Sequence, residues 1–144
     1  MRIGATAALL LALVPPAWGL DFASTQQPAI LYDAPSSAAD KIAVVSPGYP
    51  LEKLVTAAGW TKVRDETGKL AWIEDTALGD KRTVLVTAPE AQILERPEEA
   101  ARLSFRAARG VVLELLPGQA PGWAMVRHAT GRQGFVRIRE VWGL

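Results

Sequence analysis

The sequence has no cysteine, which removes disulfides, thiolate metal sites, thiol catalysis and a lipid-bearing N-terminal cysteine. It has one histidine, His128, so a multi-histidine metal site within one chain is excluded. No charge sign dominates: 16 basic residues stand against 15 acidic ones, a formal +1. That is too balanced for a chain whose main task is coating nucleic acid. No apolar run reaches the ~20 residues that a membrane-spanning helix needs. Turn formers are plentiful, with 12 Gly and 10 Pro, yet below the level that marks disorder. What remains is a globular composition, 49% hydrophobic and 22% charged, over 144 residues. No cofactor motif and no metal-ligand spacing is present.

The N-terminus reads as a leader. Arg2 precedes an apolar run from Ile3 to Val14, broken by Pro15 and Pro16 and followed by Ala17-Trp18-Gly19. A charged start, a short apolar stretch and a small-x-small signal are the pattern of a secretory signal peptide. The expectation is residues 1–19 as signal peptide, cleavage after Gly19, no membrane anchor after cleavage, and a periplasmic or secreted protein. The alternative is an anchor or an N-terminal core helix.

The rest of the chain repeats itself. Leu31-Tyr32-Asp33-Ala34-Pro35 matches Ile93-Leu94-Glu95-Arg96-Pro97, and Gly48, Leu51, Glu52 and Leu54 match Gly110, Leu113, Glu114 and Leu116. One extra residue then enters the second copy between Pro117 and Pro121. Beyond it, Gly59-Trp60 matches Gly122-Trp123, Val63-Arg64 matches Val126-Arg127, and Trp72-Ile73 matches Phe135-Val136. So many matches in order, with one gap, make a tandem pair. Gly79-Asp80-Lys81 is the expected boundary, giving domains at 20–80 and 81–144.

Each copy reads as short strands. Leu51 to Val55 and Val111 to Leu116 are β-rich runs after a glycine turn. Trp60 and Trp123 open the next strands. Asp65-Glu66-Thr67-Gly68 and His128-Ala129-Thr130-Gly131 are turns ending in glycine. Leu70 to Ile73 and Gly134 to Val136 return. Five or so strands in about 60 residues predict an all-β small barrel or sandwich. Glu98 to Arg109, rich in Ala and Arg, is expected to form a helical turn or a broad loop. From Leu20 to Asp80, five basic residues meet nine acidic ones; from Lys81 to Leu144, ten meet six. Opposite charge on the two halves suggests docking within one chain or between chains, against simple drift of surface charge.

Ile30-Leu31-Tyr32-Asp33-Ala34-Pro35, Gly48-x-x-Leu51, Gly59-Trp60-x-Lys62-Val63-Arg64 and Gly68-x-x-Ala71-Trp72-Ile73 together resemble a bacterial SH3-type domain, and the second copy resembles it from Ile93 through Val136. The resemblance implies two small SH3-like β-barrels of five to six strands in tandem. It implies binding rather than catalysis, often of cell-wall peptides when the domain is attached to a wall hydrolase. In the wider fold the tyrosine of the Leu-Tyr-Asp motif lines the peptide groove, which singles out Tyr32. Leu94 stands at the matching place in copy two, so the copies are not equivalent.

The candidate ligand-binding residues are Tyr32, Trp60, Trp123 and Arg127. Trp60 and Trp123 offer large, rigid aromatic area for stacking on a peptide or sugar; the competing role is packing under a loop. Trp72 and Phe135 read as core or half-core. Arg127, Arg132, Arg137 and Arg139 cluster near the C-terminus, with Arg137 and Arg139 on one strand face if the strand is regular. Guanidinium forks suit carboxylates and phosphates, so this is either an anion-binding stripe or the surface that meets the acidic first copy. No catalytic residue is expected. His128 reads as a solvated turn residue, and Ser24, Ser36, Ser37, Ser46 and Ser104 lack a nucleophile-elbow setting. The carboxylates Asp65-Glu66 and Glu74-Asp75 are ordinary turn and strand-end pairs. The expected function is a non-enzymatic module that binds a cell-wall peptide or a periplasmic protein, and not nucleic acid. The alternative is a scaffold subunit that binds protein only, with no small ligand.

Overall fold

The computed structural model describes residues 20–144, and the expected signal peptide lies outside them. Period-two alternation builds both halves. Strand β1 spans Phe22–Thr25, β2 Ala29–Tyr32, β3 Lys41–Val45, β4 Pro50–Ala57, β5 Trp60–Arg64, β6 Leu70–Glu74 and β7 Leu78–Gly79. The second half repeats them as β8 Thr83–Val86, β9 Glu90–Leu94, β10 Leu103–Ala108, β11 Val112–Leu115, β12 Trp123–Arg127, β13 Gln133–Arg137 and β14 Val141–Trp142. A 3-10 turn precedes the last strand of each half, at Asp75–Ala77 and Ile138–Glu140.

The two sheets share one topology, β3-β2-β6-β5-β4-β1-β7 and β10-β9-β13-β12-β11-β8-β14. Each has seven strands, not five or six, and neither closes into a barrel by strand pairing. In the first sheet the reason is visible in β3. Only Val45 of that strand is buried, so β3 runs out as an arm of the β2–β3 hairpin. It does not wrap round to the two-residue β7.

The Ala- and Arg-rich stretch is also not helical. It contains β10, where Phe105 and Ala107 point into the core and Arg106 and Ala108 point out. The alternation outweighed the helical propensity of Ala and Arg. Nor do Arg137 and Arg139 share a strand face, because β13 ends at Arg137 and Arg139 sits in the 3-10 turn.

The hairpin turns explain their own sequences. The Asp65 carboxylate accepts hydrogen bonds from the Thr67 amide at 2.9 Å and the Lys69 amide at 3.0 Å. In the matching turn His128 Nδ1 takes that place, with the Thr130 amide donating at 3.2 Å. Both turns finish on a glycine at positive φ, Gly68 at 87° and Gly131 at 92°, where a Cβ would be strained.

The cores differ. The first contains Leu31, Val45, Leu51, Val63 and Ile73 with two alanines, Ala29 and Ala71. The second is larger, adding Val84, Val86 and Phe105 to Ile93, Leu113, Val126 and Val136. The difference begins in β1. Phe22 and Ser24, both buried, serve the junction between the repeats. The Phe22 ring meets Trp142 edge-on at 5.0 Å. Ser24 Oγ lies 2.6 Å from Thr83 Oγ1, which itself donates to the Gly48 carbonyl at 2.5 Å. The repeats therefore dock through apolar and hydroxyl contacts, and not through the opposite charges of the two halves. The ion pairs at Arg127 and Arg137 stay within the second repeat.

Candidate functional site

On β5, Thr61 and Val63 point inward, which turns Trp60, Lys62 and Arg64 outward. On β6, Ala71 and Ile73 point inward, which turns Leu70, Trp72 and Glu74 outward. On β2, Ile30 and Tyr32 share the outer side. Register then assembles an aromatic face. Tyr32 pairs with Trp72, Trp72 with Lys62, and Trp60 with Glu74. The Tyr32 and Trp60 rings meet edge-to-face, with centroids 5.3 Å apart and planes at 87°. Such pairs stabilise by ~0.5–1.5 kcal/mol beyond their area burial.

None of these three aromatics belongs to the first core. Tyr32 is only 8% exposed, so its ring acts as the floor. Trp60 and Trp72, half-buried, supply the accessible ring surface. A shallow recess of about 190 Å³ opens alongside, lined by Pro28, Ile30, Tyr32, Ile73 and Glu74. Lys62 and Glu74 put one charge of each sign beside the rings. The face can stack on a flat or ring-shaped group and hydrogen-bond its polar edges.

The same place on the second sheet is covered. Leu94, Trp123 and Phe135 occupy the matching positions, and the Arg137 guanidinium lies over the Trp123 ring, 5.0 Å from its centroid. Arg137 is held there by Glu99, whose Oε1 and Oε2 accept from Nε at 3.0 and 3.1 Å and whose Oε2 also accepts from Nη2. The hydrogen bond from Arg137 holds the Glu99 carboxyl below its ordinary value, and the same bond raises Arg137. The Trp123 face thus carries a side chain of its own protein.

Arg127 lies elsewhere again. It sits at the far end of β12 from Trp123, about 13 Å away at ~3.3 Å per residue. Its Nη2 and Nε donate to Glu114 Oε2 at 3.0 and 3.3 Å. The first repeat has the same cross-strand pair, Arg64 with Glu52 at 2.9 Å. The hydrogen bond from Arg127 holds the Glu114 carboxyl below its ordinary value, with Lys81 adding to the effect.

Of the four candidate residues, then, Tyr32 and Trp60 come together, while Trp123 and Arg127 stand apart. Trp72 joins the first pair, and the signal for it was the alternation of β6, which puts Trp72 on the same side as Glu74, the partner of Trp60. Glu99 over Trp123 had no local signal, being 38 residues from Arg137. His128 Nδ1 is engaged by Thr130 in its own turn. Ser24 and Ser104 are bonded to Thr83 and to the Gln133 carbonyl. No group of three or more His, Asp or Glu side chains converges as a metal site among the described residues. No helix among them is long and apolar enough to cross a membrane.

Comparison with known families settles the relationship. The family described as "Bacterial SH3 domain" matches residues 25–80 and again residues 87–143. The chain belongs to the bacterial SH3 domain family. One match falls on each sheet, leaving out most of β1 and all of β8, so the tandem reading and the family reading agree. No curated protein matches the chain. Among solved structures it is similar to NlpC2 from Trichomonas vaginalis, at 16% identity and a TM-score of 0.40, over 86% of this chain and 48% of that one. It is also similar to NlpC1 from Trichomonas vaginalis, at 14% identity and a TM-score of 0.39, over 94% of this chain and 50% of that one. The chain spans about half the length of those structures.

Proposed function

We propose that this tandem bacterial SH3 protein is a non-enzymatic, exported binding module, and that its first repeat recognises a cell-wall peptide component through the Tyr32–Trp60–Trp72 face. A single observation supports this reading most. Trp60 and Trp72 keep ring surface on the outer side of the first sheet above a buried Tyr32, and among the described residues no cation lies over them as Arg137 lies over Trp123. Half-buried tryptophan surface beside a recess is costly to leave in water, and tryptophan is the residue type that dominates binding energy in interfaces. The second repeat, with its aromatic already capped, is the supporting partner. Export to the periplasm brings the face to the wall.

The test is co-sedimentation of residues 20–144 with purified sacculi, alongside Trp60→Ala and Arg137→Ala, each checked for folding. Removing a central tryptophan platform costs about 2 kcal/mol or more, roughly a thirtyfold loss of affinity. Trp60→Ala is therefore expected to stay in the supernatant, while Arg137→Ala pellets like the parent. Pelleting of Trp60→Ala with the parent's affinity overturns the site. Failure of the parent itself to pellet overturns the wall ligand.

A further inference from the structure

The contacts that dock the repeats leave a cleft of about 510 Å³ beside them. That lies within the ~300–1,000 Å³ span of small-molecule sites. Both repeats line it, so neither could form it alone. Its floor holds the hydroxyls of Ser24, Thr25 and Thr83, all buried and all hydrogen-bonded within the protein. Val112 and Pro47 give it an apolar side. Its rim is charged, with two cations, Lys81 and Arg127, and two carboxylates, Asp80 and Glu114.

These charges are not used up by one another. Glu114 Oε2 receives both Arg127 and, at 3.5 Å, Lys81, which leaves its second oxygen without a bond among the described residues. Arg127 keeps its Nη1 end, and the Lys81 side chain is 71% exposed. His128 adds a donor. Because the Thr130 amide donates to Nδ1, the neutral ring carries its proton on Nε2. The rim therefore offers donors for one carboxylate and acceptors for one ammonium. A ligand of one sign would meet repulsion from half of it; a compact ligand carrying both signs would not.

We propose that the cleft between the repeats is a second, separate ligand site, and that it takes a small zwitterion of dipeptide size. The carboxylate goes to Arg127 and Lys81, the ammonium to Asp80 and the free oxygen of Glu114, and a small apolar side chain to Val112. The site is independent of the Tyr32–Trp60–Trp72 face.

The probe is the dipeptide Ala-Ala, titrated into uniformly 15N-labelled residues 20–144 and read by amide chemical shifts. Saturable shifts are expected at Thr83, Val112 and His128 below about 20 mM. N-acetyl-Ala-Ala, without the ammonium, and Ala-Ala amide, without the carboxylate, should each bind about tenfold more weakly, as expected for loss of one charge-assisted contact. Lys81→Gln and Asp80→Asn, both at exposed positions, should weaken Ala-Ala by a similar factor with the spectrum otherwise intact, and Trp60→Ala should leave it unchanged. Absence of saturable shifts by about 20 mM, equal binding of the blocked dipeptides, indifference to both charge variants, or shifts confined to Trp60 and Trp72 overturns the proposal. The Trp60→Ala arm keeps its outcome separate from that of the wall-binding reading.

Discussion

Thr83 is the centre of the contact between the repeats, and replacing it with valine tests that contact with little change of shape. The Thr83 hydroxyl is buried and has one proton, which goes to the Gly48 carbonyl. Ser24 must therefore be the donor to Thr83. Valine removes both bonds and leaves the Ser24 hydroxyl and the Gly48 carbonyl without partners. An unsatisfied buried group costs ~1–3 kcal/mol. Ser24 is only 3% exposed, at the floor of the cleft, whereas Gly48 is half-buried and water reaches it more readily. The expected loss is thus near the middle, about 2 kcal/mol. For a chain of this size that lowers Tm by roughly 6–12 °C. The assay is urea and thermal unfolding of residues 20–144, with Ser24→Ala and the double variant completing a cycle. Because both side chains belong to one chain of hydrogen bonds, the double variant should lose about 1 kcal/mol less than the sum of the single ones. A Thr83→Val protein within about 0.5 kcal/mol of the parent, or an additive cycle, refutes the assignment.

Two further outcomes follow from single positions. Gly134→Ala would place a Cβ 2.5 Å from the Leu94 carbonyl oxygen and 2.7 Å from Ile93, a backbone clash that side-chain motion cannot relieve; a loss of about 1–3 kcal/mol is expected on thermal unfolding, although the first repeat carries Ala71 at the matching place. Glu114 has a folded-state pKa held below its ordinary value by Arg127, so its contribution is present above the unfolded pKa and lost as pH falls through the folded one. The stability gap between the parent and Glu114→Gln, measured by urea unfolding, should be open at neutral pH and narrow progressively in acid.

The repeat made much of this legible. Once Trp60 and Trp123, or Val63 and Val126, are aligned, period two assigns inward and outward sides, and Tyr32 and Trp60 fall on the outer one. Strand β10 was harder. Its inward residues are Phe105 and Ala107, and an alanine is a weak signal of burial between arginines that suit a helix equally well. The cap on Trp123 was illegible for a different reason. It joins a strand to a loop far along the chain, and no spacing rule links Glu99 to Arg137. The cleft was out of reach altogether, because it depends on how two similar units sit side by side. The extra residue near Pro117 and the change from Asp65 to His128 showed only that the copies differ.

Those differences have a consequence for folding. A 60-residue unit buries only ~60% of its unfolded surface and is marginal by itself. At ~0.05–0.15 kcal/mol per residue its stability is about 3–9 kcal/mol. The first repeat commits Phe22 and Ser24 to the second, where Trp142 meets the Phe22 ring edge-on and Arg82 lies over it, leaving it 5% exposed. Uncovering a large apolar side chain costs about 1.5–3 kcal/mol, and the Ser24 hydroxyl loses its partner as well. That is a large share of what a small unit has. The second repeat instead fills its matching strand with Val84 and Val86, both fully buried in its own core. Residues 20–80 alone should therefore show weak or no cooperative melting by circular dichroism, while residues 81–144 alone should keep a cooperative transition. A first repeat that melts by itself as sharply and as high as the pair would mean that Phe22 and Ser24 are incidental to its stability, and the tandem arrangement would then need a reason other than folding.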